Sequence, residues 1–554
     1  MRLIERRVGL LFAVFAIAFC GVVVRAAWLQ AVKGGELSAD ARSQQTGEVT
    51  VPGIRGGIVD REGRQLAVSE DAATVVATPY QVENPQRTAV KLARVLEASE
   101  AELLESLAGE AGFAYVAQRI SLGKAERIRK MELTGIGILP DSRRIYPQGE
   151  VASRLVGAVG AEGSGLFGLE LAQEELLAGT DGELAVTRDA LGEEIDRDTV
   201  AGAAPGSDLK LTVDSEIQAK AEAVLAELGN THDPDGATAV AIAPDSGEVL
   251  AMASWPPVDP YNVGEAAPED LSNLATALTY EPGSTFKAFT VAGALEAGVV
   301  TPDTVFDLPP TLQVADREIE ESHPRGYAAM SVAEILKVSS NVGAIKVGLA
   351  LNDGSFGSRF DRWIRRFGFA KPTGIELAGE EQGIVPAPED YSGATIGNLP
   401  LGQGLSVTPL QMMAAYGAIA NGGTLLTPRL IDSVDGEPLA MDPGKRVLSA
   451  KTAAQVRTML KGVLEPGGTA SVEIEGYELA GKTGTAEKAV DGVYSETEFV
   501  ASFVGFAPAE APEFLMAVIV DNPKGGDYYG GSLAAPAFGE IASFALPHLG
   551  VNPG

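Results

Sequence analysis

The chain has 554 residues, enough for two to four domains with ordinary hydrophobic cores, so it is neither a peptide nor a small disulfide scaffold. Its 43 basic and 75 acidic residues give a formal net charge of −32, which argues against general nucleic-acid binding because phosphates would be repelled. One cysteine and three scattered histidines exclude an internal disulfide and a cysteine-based metal site. We therefore expect no metal and no cofactor, and chemistry carried by hydroxyl, amine and amide side chains.

The N-terminal segment predicts a membrane anchor at residues 8–29. Three arginines lie within the first seven residues, and the following uncharged run, 8–24, would form a helix about 26 Å long, close to the roughly 30 Å of a bilayer core. The preceding arginines predict a cytoplasmic tail (1–7) and an extracytoplasmic location for the remaining chain. A cleaved signal peptide is the alternative, which the length of the apolar run disfavours.

Composition and periodicity divide the rest of the chain into two globular regions. A juxtamembrane segment (30–50) leads into a first region (51–205) of mixed strands and amphipathic helices, with strands predicted at 64–67 and 73–77. The sequence VAGAAPGS at 200–207 has the composition of a linker and no periodicity. We therefore place the boundary between the two regions there.

The second region, 206–554, has the pattern of an α/β domain. A helix is predicted at 216–228, and apolar runs at 237–243 and 248–254 are joined by the turn sequence Pro-Asp-Ser-Gly, which predicts a hairpin. Helical and loop-rich sequence then separates this hairpin from late strands, so early and late strands would pair non-locally in one sheet. The late strands are predicted at 478–488, 499–507 and 514–520.

The sequence from Glu281 to Lys287, EPGSTFK, is a candidate nucleophile site. It precedes a helical run, and residues three apart on a helix face the same way, so Ser284 and Lys287 would be neighbours. A neutral lysine amine can take the serine proton, and burial or a second cation lowers a lysine pKa. The backbone N–H of Ser284 at the helix start could face a developing oxyanion.

Two further motifs are candidate partners of this serine. Ser331 and Glu334 predict a capping box for a short helix, which places Ser339 and Asn341 on the turn before the next helix, where a helix cap alone would also explain Asn341.

Lys482-Thr483-Gly484-Thr485 lies in a predicted strand. A glycine in a strand interior often marks close approach of another backbone or a ligand, and a lysine with two hydroxyls suits a carboxylate.

The Ser-x-x-Lys spacing is weak evidence by itself, because the chain contains a second copy. Ser121 and Lys124 have the same spacing in the sequence SLGKAERIRK. We interpret that copy as a serine cap on a solvated helix. The Ser284 copy differs because it has candidate partners.

Taken together and in this chain order, the three motifs are the signature of the serine penicillin-recognising enzymes. The chain resembles a class B penicillin-binding protein nearly from end to end. The supporting matches are Arg55–Gly63 (RGGIVDREG), Arg143–Pro147 (RRIYP), Gly165–Glu170 (GLFGLE), Gly402–Gly404 (GQG) and Thr408–Gln411 (TPLQ). We interpret the first three as turn and domain-contact sequence in the N-terminal pedestal domain, and none of the five as catalytic.

The resemblance implies a fold and a reaction. The fold would be an antiparallel sheet flanked by helices with a helical subdomain, an N-terminal mixed α+β pedestal and one transmembrane helix. The reaction would be peptidoglycan D,D-transpeptidation on the D-Ala-D-Ala end of a stem peptide. Ser284 would be the nucleophile, Lys287 the general base, and Ser339 the proton relay to the leaving amine, while Asn341 would bond to the substrate amide or to Lys287.

The resemblance also implies what is bound. Lys482, Thr483, Gly484 and Thr485 would bind the terminal carboxylate, with Lys482 also lowering the Lys287 pKa and the backbone N–H groups of Ser284 and Thr485 forming the oxyanion hole. β-Lactams would acylate Ser284. The partners would be peptidoglycan stem peptides, lipid-linked precursor strands, divisome proteins and a membrane-embedded SEDS-type glycosyltransferase. A separate glycosyltransferase would be needed because no such domain fits in the chain.

Several alternatives stay open at this point. A β-lactamase would need a deacylating base, for which no convincing motif is found. A D,D-carboxypeptidase would use water as acceptor, and a non-catalytic scaffold or β-lactam sensor would not need an intact nucleophile and base. The YEPGS and SSN sequences look more like the septal, FtsI-type branch, whereas elongation-type relatives more often have aspartate at the position of Asn341.

Overall fold

The computed structural model describes residues 2–33, 35, 46–109, 111–188, 194–355, 357–490 and 493–553. Its first helix, Arg2–Ala31, contains the predicted anchor and is long and apolar enough over Arg6–Ala31 to cross a membrane. The predicted juxtamembrane segment, 30–50, includes residues 36–45, which lie outside the described residues.

The chain divides into two compact units. The first consists of residues 1–55, 71–143 and 179–206, and the second of residues 56–70, 144–178 and 207–554. Two segments of the predicted first region therefore group with the second unit. The domain boundary that the sequence predicts near residue 205 stays a prediction.

The first unit is an α+β structure with its own small core, formed by Val75, Leu92 and Leu103 among others. The two strands predicted at 64–67 and 73–77 are one continuous strand, Gln65–Ala77, of which residues 71–77 belong to this unit, because the backbone stays extended through the polar residues between them. This part of the prediction was wrong. The other strands of the unit are Thr46–Val51, Ala114–Ser121, Ile136–Ile145, Gly182–Arg188 and Glu194–Ala201, and its helices are Pro79–Gln81 (3-10), Pro85–Leu96, Glu100–Leu107 and Leu122–Arg129.

The second unit is built on a five-stranded antiparallel sheet. The predicted hairpin and the three predicted late strands all form, and the early and late strands share this sheet, as expected. The strands are β1 (Gly236–Ile242), β2 (Val249–Trp255), β3 (Ala480–Val490), β4 (Val493–Ala507) and β5 (Phe514–Asp521). Their spatial order in the sheet is β2-β1-β5-β4-β3.

Helices cover both faces of this sheet, which is why β5 is apolar along its length rather than alternating. Helices α1 (Ser215–His232) and α5 (Ala534–His548) pack on one face. The other face meets the larger core, which contains α2 (Lys287–Glu296) and the buried helix Pro409–Ala420.

Two further helices of the second unit are α3 (Val332–Lys337) and α4 (Asn341–Asn352). Its remaining helices are Ser153–Val156, Gly168–Ala172, Glu174–Leu177, Val263–Glu265 (3-10), Pro268–Leu271 (3-10), Leu274–Ala277, Gly283–Phe286 (3-10), Ser358–Arg366, Pro388–Asp390 (3-10), Thr395–Asn398, Leu399–Leu401 (3-10) and Ala450–Gly462. Its short strands are Ile58–Val59, Leu209–Leu211, Val305–Leu308, Thr311–Val314, Arg317–Glu320, Ala328–Ser331, Thr424–Leu425, Ile431–Val434, Glu437–Pro438 and Lys445–Arg446. Several of these elements surround the site described below.

A buried ion pair lies within segment 144–178, and its arginine also bonds to segment 56–70. Arg144 Nε lies 2.7 Å from Glu170 Oε1, and the two side chains are 3% and 0% exposed. Arg144 Nη1 also donates a 2.7 Å hydrogen bond to Gly56 O. The RRIYP and GLFGLE sequences thus have a packing role in this unit.

We predict that Glu170→Ala lowers the free energy of unfolding by about 3 kcal/mol, because it leaves the Arg144 guanidinium buried without its partner. Chemical denaturation of the detergent-solubilised chain measures this. The exposed carboxylate Glu437 is the control, and Glu437→Ala should change the value by no more than about 0.5 kcal/mol. Equal effects of the two variants would contradict the prediction.

Candidate active site

Ser284 lies in a 3-10 turn, Gly283–Phe286, that runs directly into α2. The turn is fixed from within the core: Thr285 Oγ1 donates to Pro282 O at 2.7 Å, and Tyr416 OH donates to Thr285 O at 2.6 Å. Its neighbours Gly283 and Thr285 are buried, whereas Ser284 is only partly buried and lines two cavities. A rigid turn therefore presents this hydroxyl to the surface.

Lys287, the first residue of α2, is almost fully buried and contacts the second motif. Its Nζ donates to Ser339 O and to Asn341 Oδ1, each at 2.7 Å, and lies 3.2 Å from Ser339 Oγ. The structure thus brings together residues that lie more than 50 positions apart. A neutral amine has two N–H groups, and the two short bonds use both, so its lone pair stays available for a proton.

The turn that carries Ser339 and Asn341 is built as the sequence predicts. The capping box of Ser331 and Glu334 begins α3, and Ser340 caps α4 by accepting a hydrogen bond from Gly343 N at 3.0 Å. Ser339 itself has φ of 57°, a left-handed conformation that is rare for a serine.

The third motif lies on β3, which is an edge strand of the sheet. A Cβ at Gly484 would clash with Ser502 Oγ on β4. It would also lie 2.9 Å from Thr285 Cγ2 and 3.1 Å from the backbone atom Pro282 O. The predicted reason for this glycine, close approach of another backbone, is thereby confirmed. The approaching backbone is the turn that carries Ser284.

Within this motif the threonines and the lysine lie at different depths. Thr483 and Thr485 line the cavity beside Ser284, where Thr483 Oγ1 lies 2.7 Å from Thr469 Oγ1 and Thr485 Oγ1 accepts from Gly530 N at 3.1 Å. Lys482 lies behind them, fully buried, and its Nζ donates to Thr483 O at 3.1 Å.

Two cavities meet at Ser284. The first, of about 300 Å³, is bounded by Ser339 on one side and by Thr483 and Thr485 on the other. The second, of about 400 Å³, lies beside Asn341 and also includes Thr485 in its wall. A substrate that reaches Ser284 can therefore extend in two directions.

Burial controls the charge of both lysines. Desolvation lowers the pKa of Lys287 to about 7; Glu321 opposes this shift and Arg325 adds to it. The pKa of Lys482 is also well below its usual range, first because of burial and then because of the charge of Lys287. The Lys287 amine is thus partly neutral near pH 7.

Several residues of the site were not found from the sequence. Glu321, Arg325 and Thr469 contact or line it, but they stand outside any motif with a fixed spacing, and a single sequence gives no signal for them. The second Ser-x-x-Lys copy is a helix cap, as predicted: Ser121 Oγ accepts from Lys124 N at 3.4 Å, and the Lys124 ammonium pairs with Glu97.

Comparison with known families matches both parts of the chain. Residues 237–543 match the penicillin binding protein transpeptidase domain, and residues 50–211 match the penicillin-binding protein dimerisation domain. The first match alone spans more than half of the chain. The chain belongs to the class B penicillin-binding proteins. The resemblance drawn from the three motifs is confirmed.

Relatives and solved structures agree with this membership. The chain is 36% identical to stage V sporulation protein D of Bacillus subtilis, covering 98% of this chain and 85% of that protein. It is 33% identical to peptidoglycan D,D-transpeptidase FtsI of Escherichia coli, covering 99% and 93%. The crystal structure of penicillin binding protein 3 from Mycobacterium tuberculosis, complexed with aztreonam, superposes with a TM-score of 0.70 at 29% identity, covering 91% of this chain and 98% of that one.

The predicted enzyme class and fold are confirmed with the family. This penicillin-binding protein is a serine-type peptidoglycan D,D-transpeptidase, and its second unit has the expected antiparallel sheet flanked by helices. The apolar N-terminal helix is consistent with a membrane-anchored protein.

We predict that the rate of acylation by a β-lactam rises about tenfold per pH unit below pH 7 and levels off above it. Lys287 must be neutral to accept the proton of Ser284, and its pKa is about 7. Stopped-flow measurement of the acylation rate constant from pH 5.5 to 8.5 tests this. Lys461→Arg, a change at the helix Ala450–Gly462, is the control and should keep the profile. A flat profile in the wild type would contradict the assignment of the base.

Proposed function

We propose that Ser284 is the acyl-accepting nucleophile of this transpeptidase and that Lys287 is its general base. The observation that carries the proposal is the position of the Lys287 amine, buried directly after the nucleophile turn and held at 2.7 Å by Ser339 O and Asn341 Oδ1. A positioned base with a pKa near the working pH is the efficient choice for proton transfer.

In the acylation step, Ser284 Oγ attacks the carbonyl carbon of the penultimate D-Ala while its proton passes to Lys287 Nζ. The C–O bond forms and the carbonyl becomes an oxyanion, which faces the backbone N–H groups of Ser284 and Thr485. Each such donor contributes roughly 2.7 to 4 kcal/mol to the transition state. The peptide C–N bond then breaks, and the leaving nitrogen takes a proton relayed through Ser339, which releases the terminal D-Ala.

In the second step, a side-chain amine of a neighbouring stem peptide attacks the ester carbonyl. The new C–N bond replaces the C–O bond, the amine proton returns through Lys287, and Ser284 regains its hydrogen. One peptide bond replaces another, so no nucleotide is consumed.

The terminal carboxylate of the donor peptide binds in the 300 Å³ cavity. Its partners there are Thr483 and Thr485, whose motif the chain shares with the family, and Gly484 lets the Ser284 turn approach them closely. Arg325 lines the same cavity and supplies a cation. The buried amine of Lys482 donates a hydrogen bond to Thr483 O. Protonation of Lys287 or of Lys482 disfavours protonation of the other amine.

We further propose that the enzyme works in septal wall synthesis, with a membrane-embedded SEDS-type glycosyltransferase and divisome proteins as partners. The similarity to the Escherichia coli relative named FtsI, over 99% of this chain, and the asparagine in the Ser339-Ser340-Asn341 turn support this role. An apolar helix over Arg6–Ala31, with Arg2 before it and Arg6 and Arg7 at its start, supports a cytoplasmic N-terminus and an extracytoplasmic active site.

Labelled penicillin should attach covalently to the detergent-solubilised chain, and Ser284→Ala should abolish the labelling because the nucleophile is removed. The matched control is Ser121→Ala, which alters the other Ser-x-x-Lys copy and should leave labelling intact. Gel fluorescence measures both. Labelling that survives Ser284→Ala, or that is lost from folded Ser121→Ala, would refute the assignment.

Depletion of the protein in growing cells tests the septal role. If the enzyme crosslinks the septum, elongation continues without division and the cells form filaments. Phase-contrast microscopy measures cell length and width. Swollen or rounded cells of ordinary length would instead indicate an elongation enzyme.

A further inference from the structure

Glu321 is a buried carboxylate with no place in the three motifs. It directly follows the strand Arg317–Glu320 and is 6% exposed. Its Oε1 accepts a 2.5 Å hydrogen bond from Ser340 Oγ, and its Oε2 accepts a 2.7 Å hydrogen bond from Asn341 N. A buried carboxylate is costly unless it is paired or hydrogen-bonded, so its position here needs a reason.

The two bonds fix the turn that holds the base. Asn341 N belongs to the first residue of α4, where free N–H groups and the helix dipole favour a negative charge. Ser340 is fully buried and also caps this helix through Gly343 N. The carboxylate therefore locks both residues that follow Ser339, whose left-handed backbone must be stabilised by its surroundings.

The same segment orients the Asn341 side chain. Its Nδ2 donates to Glu320 O at 2.8 Å, which leaves Oδ1 to accept from Lys287 Nζ at 2.7 Å. Residues 320 and 321 thus hold Asn341 by its side chain and its backbone. Both oxygen atoms that accept the short bonds of Lys287 belong to residues of this turn.

We propose that Glu321 is a positioning residue of the acylation reaction, which holds the Ser339–Asn341 turn against Lys287 and balances the positive charge of the site. The proposal rests on the function proposed above. Glu321 acts through the turn and touches no reacting atom.

The charges around Lys287 give this role a specific signature. Glu321 favours the ammonium form of Lys287, whereas Arg325 on the same segment and Lys482 on β3 disfavour it; His323 lines the adjoining cavity. Loss of the Glu321 charge should therefore lower the Lys287 pKa further. The acid limb of the pH profile is the range over which the acylation rate rises with pH because Lys287 loses its proton. This limb would move to lower pH.

The experiment measures acylation of the full chain by a labelled penicillin as a function of pH. We expect Glu321→Gln to lower the plateau rate at least tenfold and to move the acid limb to lower pH. Glu321→Asp, which keeps the charge, should keep the acid limb near its wild-type position. Ser340→Ala, which removes the hydrogen bonds of the hydroxyl to Glu321 Oε1 and from Gly343 N but removes no charge, should lower the plateau rate without moving the acid limb.

The matched control is Glu334→Gln at the start of α3. Glu334 Oε2 also accepts bonds from a serine N–H and hydroxyl, at 2.8 Å each, at a helix N-terminus. Its loss should lower the thermal midpoint and leave the acid limb in place. If Glu321→Gln behaves in the same way, or keeps a plateau rate within twofold of wild type, the proposal is overturned.

If Glu321→Gln does not fold, the plateau rates and acid limbs of Glu321→Asp and Ser340→Ala test the proposal instead. An altered acid limb in both, or wild-type rates in both, would overturn the proposal. A wild-type chain that is not labelled at Ser284 would instead refute the proposed function, so the two failures can be distinguished.

Discussion

The site depends on the burial of one lysine amine. Lys287 comes directly after the nucleophile turn and is covered by the turn between α3 and α4, where two short hydrogen bonds hold its Nζ. Water would keep this amine protonated at neutral pH, whereas desolvation lowers its pKa to about 7. A serine can then lose its proton without a histidine.

The fold serves to bring three distant segments to this amine. The early hairpin and the late strands share one sheet, which puts Thr483 and Thr485 on an edge strand beside the turn of Ser284. Helices on both faces bury the strands, so the edge strand is held by a thick apolar core. Lys287 and Lys482 are therefore enclosed, whereas Ser284 lies open to two cavities.

Much of this arrangement was predictable because the motifs have local physical causes. The capping box of Ser331 and the glycine at 484 each reflect a nearby constraint, and the structure has both as expected. Ser284 lies on the 3-10 turn and Lys287 is the first residue of the helix that follows it. The second Ser-x-x-Lys copy was correctly interpreted as a cap. The family resemblance supplied the chemistry that links these motifs.

The remaining features depend on tertiary contacts that no spacing encodes. Glu321 reaches the 339–341 turn from the end of a short strand, and Arg325 enters the cavity from a loop. The depth of Lys482 behind the threonines follows from the packing of β3. The grouping of segments 56–70 and 144–178 with the second unit comes from contacts between residues far apart in the sequence, such as the hydrogen bonds from Ser215 Oγ to Asp60 Oδ2 and from Arg154 Nη1 to Pro256 O.

The most direct test of the account is an NMR titration of the lysine side chains, labelled with ¹³C at Cε, in the detergent-solubilised chain. The account predicts a resonance that titrates near pH 7 and that disappears in Lys287→Arg. If every lysine resonance titrates near the ordinary value of about 10.4, Lys287 is protonated at neutral pH and cannot be the base.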